Sequence, residues 1–266
     1  MARIEQMHSR FECKYMIEPR MCDEIRTFIE PFMQPDPYAL RHPNYSYPIS
    51  SLYLDSPDLQ LYNQVLAGEK NRFKLRVRTY SDKPEDPVFF EVKRRMNLIL
   101  SKRRAVLDRA AAREMLTNDF PTLPTGMAEG LMPDLDEFTS CRLLISAKPV
   151  LRVKYMREAY ESRAQEPVRL TFDTKLSHAV TLDGELSHST GEWVETPLEG
   201  VILEIKFTDR YPSWMSDMAQ LFQLTRCSVP KYVMSVDQVL SSPRTRVVSL
   251  GGFSLPPSRL EHVYRD

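Results

Sequence analysis

A chain of 266 residues with 42% hydrophobic side chains can bury a proper core, as one large domain or two small ones. Its 36 Lys and Arg balance 36 Asp and Glu, which excludes a general basic field for nucleic acid or membrane; anion binding must come from locally concentrated charge. Met1 to His8 has no apolar signal-type stretch and no later run approaches about 18 apolar residues, so a cytoplasmic protein is expected. The four cysteines, Cys13, Cys22, Cys141 and Cys227, show no C-x-x-C spacing and are expected as buried free thiols.

Arg10 to Tyr15 alternates, with Arg10, Glu12 and Lys14 on one face of a strand. Pro19 opens a helix through about Phe32, apolar at Met21, Ile25, Phe28, Ile29 and Phe32. Pro35 to Pro48 is rich in Pro and Tyr and reads as a loop. Ile49 to Asp55 is a strand closed by Ser56-Pro57, with Asp55 as a cap; a short helix around Leu59 to Leu66 ends at Gly68.

The stretch from Arg72 to Arg104 is the most informative. Strict alternation puts Arg72, Lys74, Arg76 and Arg78 on one face and Phe73, Leu75 and Val77 on the other. Lys70 to Arg104 holds 12 of the 36 Lys and Arg but only four acids, Asp82, Glu85, Asp86 and Glu91. Like charges along a sheet face repel, so a compensating ligand with several negative charges is expected.

Asp108 caps a helix over Arg109 to Leu116, residues 117–135 form a Pro- and Gly-broken connection, and 134–146 is helical. Strands follow at Val150 to Tyr160, Val168 to Asp173 and Val201 to Phe207. A helix after Tyr211-Pro212 carries Trp214, Met218, Leu221 and Phe222 on one stripe, and a last helix covers Lys231 to Leu240. With no internal repeat or clear linker, the expectation is one α+β domain over 1–241 and a poorly ordered tail over 242–266.

Glu91 and Lys93 share a strand face, as do Lys102 and Arg104, Arg169 and Asp173, and Glu204 and Lys206. Repeated over many strands with cations in excess, this favours a sheet closed on itself, lined by cations, with a few carboxylates to hold a metal. On 150–160, Arg152 and Lys154 lie on one face and Tyr155 and Arg157 on the other; periodicity does not choose between them. The histidines form no spaced pair, and no catalytic role is read into them.

Phe11-Glu12-x-Lys14-Tyr15, Ser51-Leu-Tyr-Leu-Asp55, Lys74-Leu-Arg76-Val-Arg78-x-Tyr80, Phe90-Glu91-Val-Lys93, Tyr155-x-Arg157, Arg169-Leu-Thr-Phe-Asp173, Leu203-Glu204-Ile-Lys206-Phe207 and Pro230-Lys231-Tyr232 together resemble, in order and spacing, the VTC domain. That is the polyphosphate polymerase domain of the vacuolar transporter chaperone complex, within the triphosphate tunnel metalloenzymes; the resemblance runs from about residue 10 to 240. It implies an antiparallel β-barrel tunnel of about eight strands with helices packed outside.

It further implies that Lys14, Arg76, Arg78, Lys93 and Lys206 are catalytic. Lys102, Arg104, Tyr155, Arg157, Arg169 and Lys231 would bind substrate, and Glu204 would hold Mn or Mg. Glu91 stands as a second metal ligand or, preferentially, an ion-pair partner. The wider superfamily begins Glu-x-Glu-x-Lys; Arg10 replaces the first Glu, which removes a metal ligand and argues against CYTH-type triphosphatases and cyclases. The chain resembles the standalone form that bacteria encode, without a phosphate-sensing domain or membrane helices.

The resulting expectation is a metal-dependent polyphosphate polymerase that moves the γ-phosphoryl of a nucleoside triphosphate, ATP first, onto a growing polyphosphate. A triphosphate or short-polyphosphate hydrolase on the same barrel and a non-catalytic polyphosphate binder are the alternatives. Nucleic acid ranks last as a partner, because a narrow tunnel excludes a duplex. The sequence leaves room for a membrane protein partner for polyphosphate export and is silent on oligomeric state.

Overall fold

The computed structural model describes residues 10–97, 99–118, 132–163, 167–208 and 211–241. The expected tail over 242–266 and most of the expected connection over 117–135 lie outside these residues. In chain order the elements are β1 (Arg10–Ile17), α1 (Met21–Ile29), β2 (Met33–Pro35), β3 (Ser46–Asp55), α2 (Gln60–Leu66), β4 (Asn71–Thr79), β5 (Val88–Met96), β6 (Ile99–Leu107), α3 (Arg109–Thr117) and α4 (Met132–Leu144). They continue with β7 (Lys148–Ser162), β8 (Arg169–Val180), β9 (Val194–Glu195), β10 (Val201–Thr208), α5 (Ser213–Leu221) and α6 (Lys231–Ser241). The expected α+β class holds, with ten strands rather than about eight, antiparallel in every register described, and six α-helices among the described residues; the expected closure into a barrel is not seen among the described strand pairings. No described helix is long and apolar enough to cross a membrane.

The described residues divide into two compact units, one from those within 10–48, 155–176 and 197–229 and the other from those within 49–154, 177–196 and 230–241. Strand order is β1-β10-β8 in the first and β3-β4-β5-β6 in the second. The long β7 carries residues of both, as do the end of β8 and the start of β3, and β2 pairs with the end of β7 at Met33↔Ser162.

Each unit builds its own core from alternate strand residues. In the first, Cys13, Tyr15, Leu170, Phe172, Leu203 and Ile205 pack against Ile25 and Ile29 of α1 and Met215 and Met218 of α5. In the second, Leu75, Val77, Val88, Phe90, Val92 and Ala105 pack against Met115 of α3 and Phe138 of α4. Apolar residues two apart on a strand take the same face, so the helices cover one face and the charged residues occupy the other.

Local signals act where they were read. Asp108 Oδ1 accepts the Ala111 N–H at 2.8 Å, capping α3, and Gly68 closes α2 with a φ of +65°. The Pro- and Tyr-rich loop is shorter than expected: it holds two 3-10 turns, at Ala39–Arg41 and Pro43–Tyr45, and β3 already begins at Ser46. Asp55, fully buried, accepts N–H bonds from Ser56, Leu61 and Tyr62 and the Tyr232 hydroxyl at 2.8 Å. It therefore caps α2 and ties it to α6.

Candidate functional site

In the second unit the register across three strands aligns the charged residues in rows: Lys74, Lys93 and Lys102; then Arg76, Glu91 and Arg104. Arg78 follows on β4, opposite Ser51 of β3, and donates from Nε to the Ser51 hydroxyl at 3.2 Å. Six cations thus share a face with one carboxylate in these rows.

That carboxylate is the hub. Glu91, 1% exposed, receives Arg76 Nε at 2.6 Å, Lys102 Nζ at 2.6 Å and Arg104 Nε at 2.7 Å. Glu91 is therefore an ion-pair partner. Burial opposes its charge, but Arg76, Arg78, Lys102 and Arg104 outweigh that and hold the carboxyl far below the usual range. Arg78 itself is 6% exposed, whereas Lys102 and Arg104 on the same face are 38% and 36% exposed, so the face is buried at Arg78 and Glu91 and open to solvent at its β6 edge. Lys231, at the start of α6, lies near Tyr53, which stacks on Tyr232 at 4.8 Å; burial raises the Tyr53 phenol, but Arg76, Arg78 and Lys231 together lower it.

Removing the hub would leave several arginines and a lysine repelling one another. Glu91→Gln is expected to cost about 3–5 kcal/mol of folding stability at neutral pH, measured by denaturant unfolding. The sign with pH follows from the depressed pKa: the contribution is present above the ordinary carboxylate range and lost on acidification. The gap between wild type and Glu91→Gln should therefore narrow as pH falls, and a constant gap would refute the assignment.

Although the Lys102 side chain is 38% exposed, partial desolvation of its ammonium, aided by Arg76 and Arg104 against the pull of Glu91, lowers it to about 7. A bound anion favours the charged lysine, so triphosphate affinity should fall as pH rises from 6 to 8.5, through about 7. Lys102→Arg, charged throughout, should show a smaller fall; parallel titration curves for the two proteins would count against this.

In the first unit β1 and β10 set Glu12 opposite Lys206 and Lys14 opposite Glu204. Lys14 Nζ lies 2.7 Å from Glu12 Oε1 and 3.7 Å from Glu204 Oε2, and Lys206 pairs with the same two carboxylates. Burial works against the Lys14 charge, yet Glu204 and Glu12 hold its pKa above normal; for Lys206 burial prevails and the shift is downward. Beside them Arg157 forks onto Asp173, with Nε–Oδ1 and Nη2–Oδ2 both 2.7 Å, and its guanidinium sits 5.3 Å from the centre of the Tyr155 ring. Arg169 donates to Asp36 at 2.6 Å and to the Tyr47 hydroxyl at 3.3 Å.

The two carboxylates suit a hard divalent cation. Such an ion takes one or two carboxylates and completes its shell with water and phosphate oxygens. No group of three or more His, Cys, Asp or Glu able to hold a metal occurs among the described residues, so substrate oxygens and water would have to fill the shell. Glu12 was not singled out as a ligand by sequence; its position two residues before Lys14 on the charged face was the available signal. Asp36 and Asp173 as counter-charges were also missed.

The expected site residues therefore fall in two sets. Lys14, Tyr155, Arg157, Arg169, Glu204 and Lys206 belong to the first unit, and Arg76, Arg78, Lys93, Lys102, Arg104 and Lys231 to the second. The ambiguity on β7 resolves without a choice. Arg152 donates to the carbonyls of Ser187 at 2.6 Å and Thr190 at 3.0 Å, and Lys154 to that of His188 at 2.9 Å, so this pair holds the loop before β9 while Arg157 takes Asp173.

Antiparallel strands with helices on one face and predominantly cationic rows on the other define an α+β protein built around charge on its sheet faces. The chain belongs to the VTC domain family, whose family model matches residues 9–240. No curated protein matches it by sequence. Solved structures similar to it include a Bacillus halodurans protein assigned as an adenylate cyclase, with TM-score 0.47 and 14% identity over 91% of this chain and 100% of that one. Another is a Hippeastrum protein assigned as an adenylyl cyclase and described as having a dominant triphosphatase activity, with TM-score 0.46 and 12% identity over 85% of this chain and 95% of that one. The PH1819 protein of Pyrococcus horikoshii has TM-score 0.42 and 11% identity over 86% of this chain and 98% of its own.

Proposed function

We propose that this protein is a divalent-metal-dependent polyphosphate polymerase that transfers the γ-phosphoryl of a nucleoside triphosphate, ATP first, onto the end of a polyphosphate chain. The observation that carries it is the cationic face of β4, β5 and β6, where six cations share a face with one buried carboxylate and three of them contact it. Membership of the VTC domain family supports the same reading. The span 1–241 is taken as the catalytic domain, and the cytoplasm, where nucleoside triphosphates are made, as its location.

In the reaction a terminal phosphate oxygen attacks the γ-phosphorus, the bond from that phosphorus to the β,γ-bridging oxygen breaks, and the nucleoside diphosphate leaves. Such transfers need positioning and charge neutralisation more than covalent help. Arg76 and Arg78 offer bidentate, permanently charged contacts to phosphate oxygens, with Arg76 aimed by Glu91. Lys93 and Lys102 supply mobile point charges suited to a polymer that must slide. Glu204 with Glu12 would hold Mg or Mn, which when bound neutralises charge on phosphate oxygens. Lys14 and Lys206 contact both carboxylates and set their orientation.

Incubating purified protein with ATP and Mn²⁺ and running the products on a gel tests this. A ladder of lengthening polyphosphate is expected; free phosphate alone would make the protein a hydrolase, and no turnover a binder. Independently, triphosphate at a hundredfold excess over Kd should add about 3 kcal/mol of stability. That corresponds to a Tm rise on the order of 5–10 °C, well beyond chloride at equal ionic strength. Equal shifts with the two salts would show that the cationic rows bind no specific anion.

A further inference from the structure

The charged face of the second unit changes character along its length. After the row of three lysines and the row of Arg76, Glu91 and Arg104 comes a row of Arg78, Phe89 and Val106. Phe89 and Val106 are half-buried, and the core takes the alternate residues Val88, Phe90, Ala105 and Leu107 instead. Tyr80, one residue past β4, meets the Phe89 ring edge-on at 5.5 Å and 82°. The Arg104 guanidinium lies 4.7 Å from the centre of the same ring. Apolar side chains on the charged face, beside two arginines, are not accounted for by the core.

We propose that Phe89, Val106 and Tyr80 form the subsite for the base of a nucleoside triphosphate, whose phosphates run from there along the face past Arg76 and Arg104 toward Lys93 and Lys102. This rests on the reading of the second unit as a phosphate site and adds the orientation of the nucleotide. Successive rows are about 7 Å apart, two residues at about 3.4 Å each. A nucleoside triphosphate has the same polarity as the face, an aromatic disk at one end of an anionic chain. Phenyl rings and arginine planes are both stacking partners for a base.

The test is metal-free calorimetry of wild type and Phe89→Leu with ATP and with inorganic triphosphate. Phe89→Leu should weaken ATP binding about tenfold while leaving triphosphate within about twofold. Equal weakening of both ligands would mean that Phe89 only seats Arg104, and would overturn the subsite, as would no change in either. Wild type that binds triphosphate but not ATP overturns the subsite alone; wild type that binds neither overturns the phosphate site with it. Phe89→Trp gives a second readout should the leucine variant unfold. After subtraction of wild-type fluorescence from Trp193 and Trp214, ATP should quench the new indole and triphosphate should not. ATP binding without quenching also overturns the proposal.

Discussion

Glu204→Gln is expected to abolish turnover, by more than about a hundredfold, while leaving metal-free triphosphate binding largely intact. The amide keeps the size of the side chain but loses the charge that a hard cation requires. Glu204 is buried, backed by Leu203 and Ile205, and shares Lys14 and Lys206 with Glu12. The substitution therefore also leaves those lysines with less counter-charge, which favours anion binding in the absence of metal. Near-wild-type rates at saturating Mn²⁺ would sink the metal assignment. Melting curves separate it from misfolding, since loss of a buried ion-pair partner alone can cost about 3–5 kcal/mol.

Arg76→Ala and Arg78→Ala should each lower kcat/KM for ATP far more than Arg103→Ala, although all three belong to one basic stretch. Arg76 and Arg78 lie on the cationic face, whereas Arg103 sits opposite Val92 on the other face and reaches Asp134 at 3.4 Å and Glu137 at 3.6 Å on α4. Loss of a preorganised contact to phosphate in a shielded site costs about 2–4 kcal/mol of transition-state stabilisation, a factor of about 30 to 1,000. Arg103 is half exposed and its ion pairs are of the surface type, worth about 0–1 kcal/mol. A folded Arg103→Ala protein as impaired as the other two would contradict the roles drawn from this register.

Much of this arrangement follows from the chain alone. A strand turns successive side chains to opposite faces, so alternation at Arg72 to Arg78, at Glu91 and Lys93, and at Glu204 and Lys206 decides locally which residues share a face. The same local logic reads the Asp108 cap and the apolar stripe of α1, because a helix or cap involves residues within about four positions of one another; on α5 it holds only in part, since Met215 and Met218 are buried while Leu221, expected on the stripe, is exposed. The two shortest strands, β2 and β9, escape it, since three and two residues carry no period.

Which faces meet is another matter. That β10 lies between β1 and β8, setting Glu12 against Lys206 and Lys14 against Glu204, depends on registers between segments far apart in the chain. So does the choice of Asp173 for Arg157, Asp36 for Arg169 and the loop before β9 for Arg152 and Lys154. Registers of this kind are selected by how the apolar backs of the strands pack against α1, α5, α3 and α4. No local periodicity records that packing, and it is what buries Glu91 among its cations and brings Glu12 to Glu204.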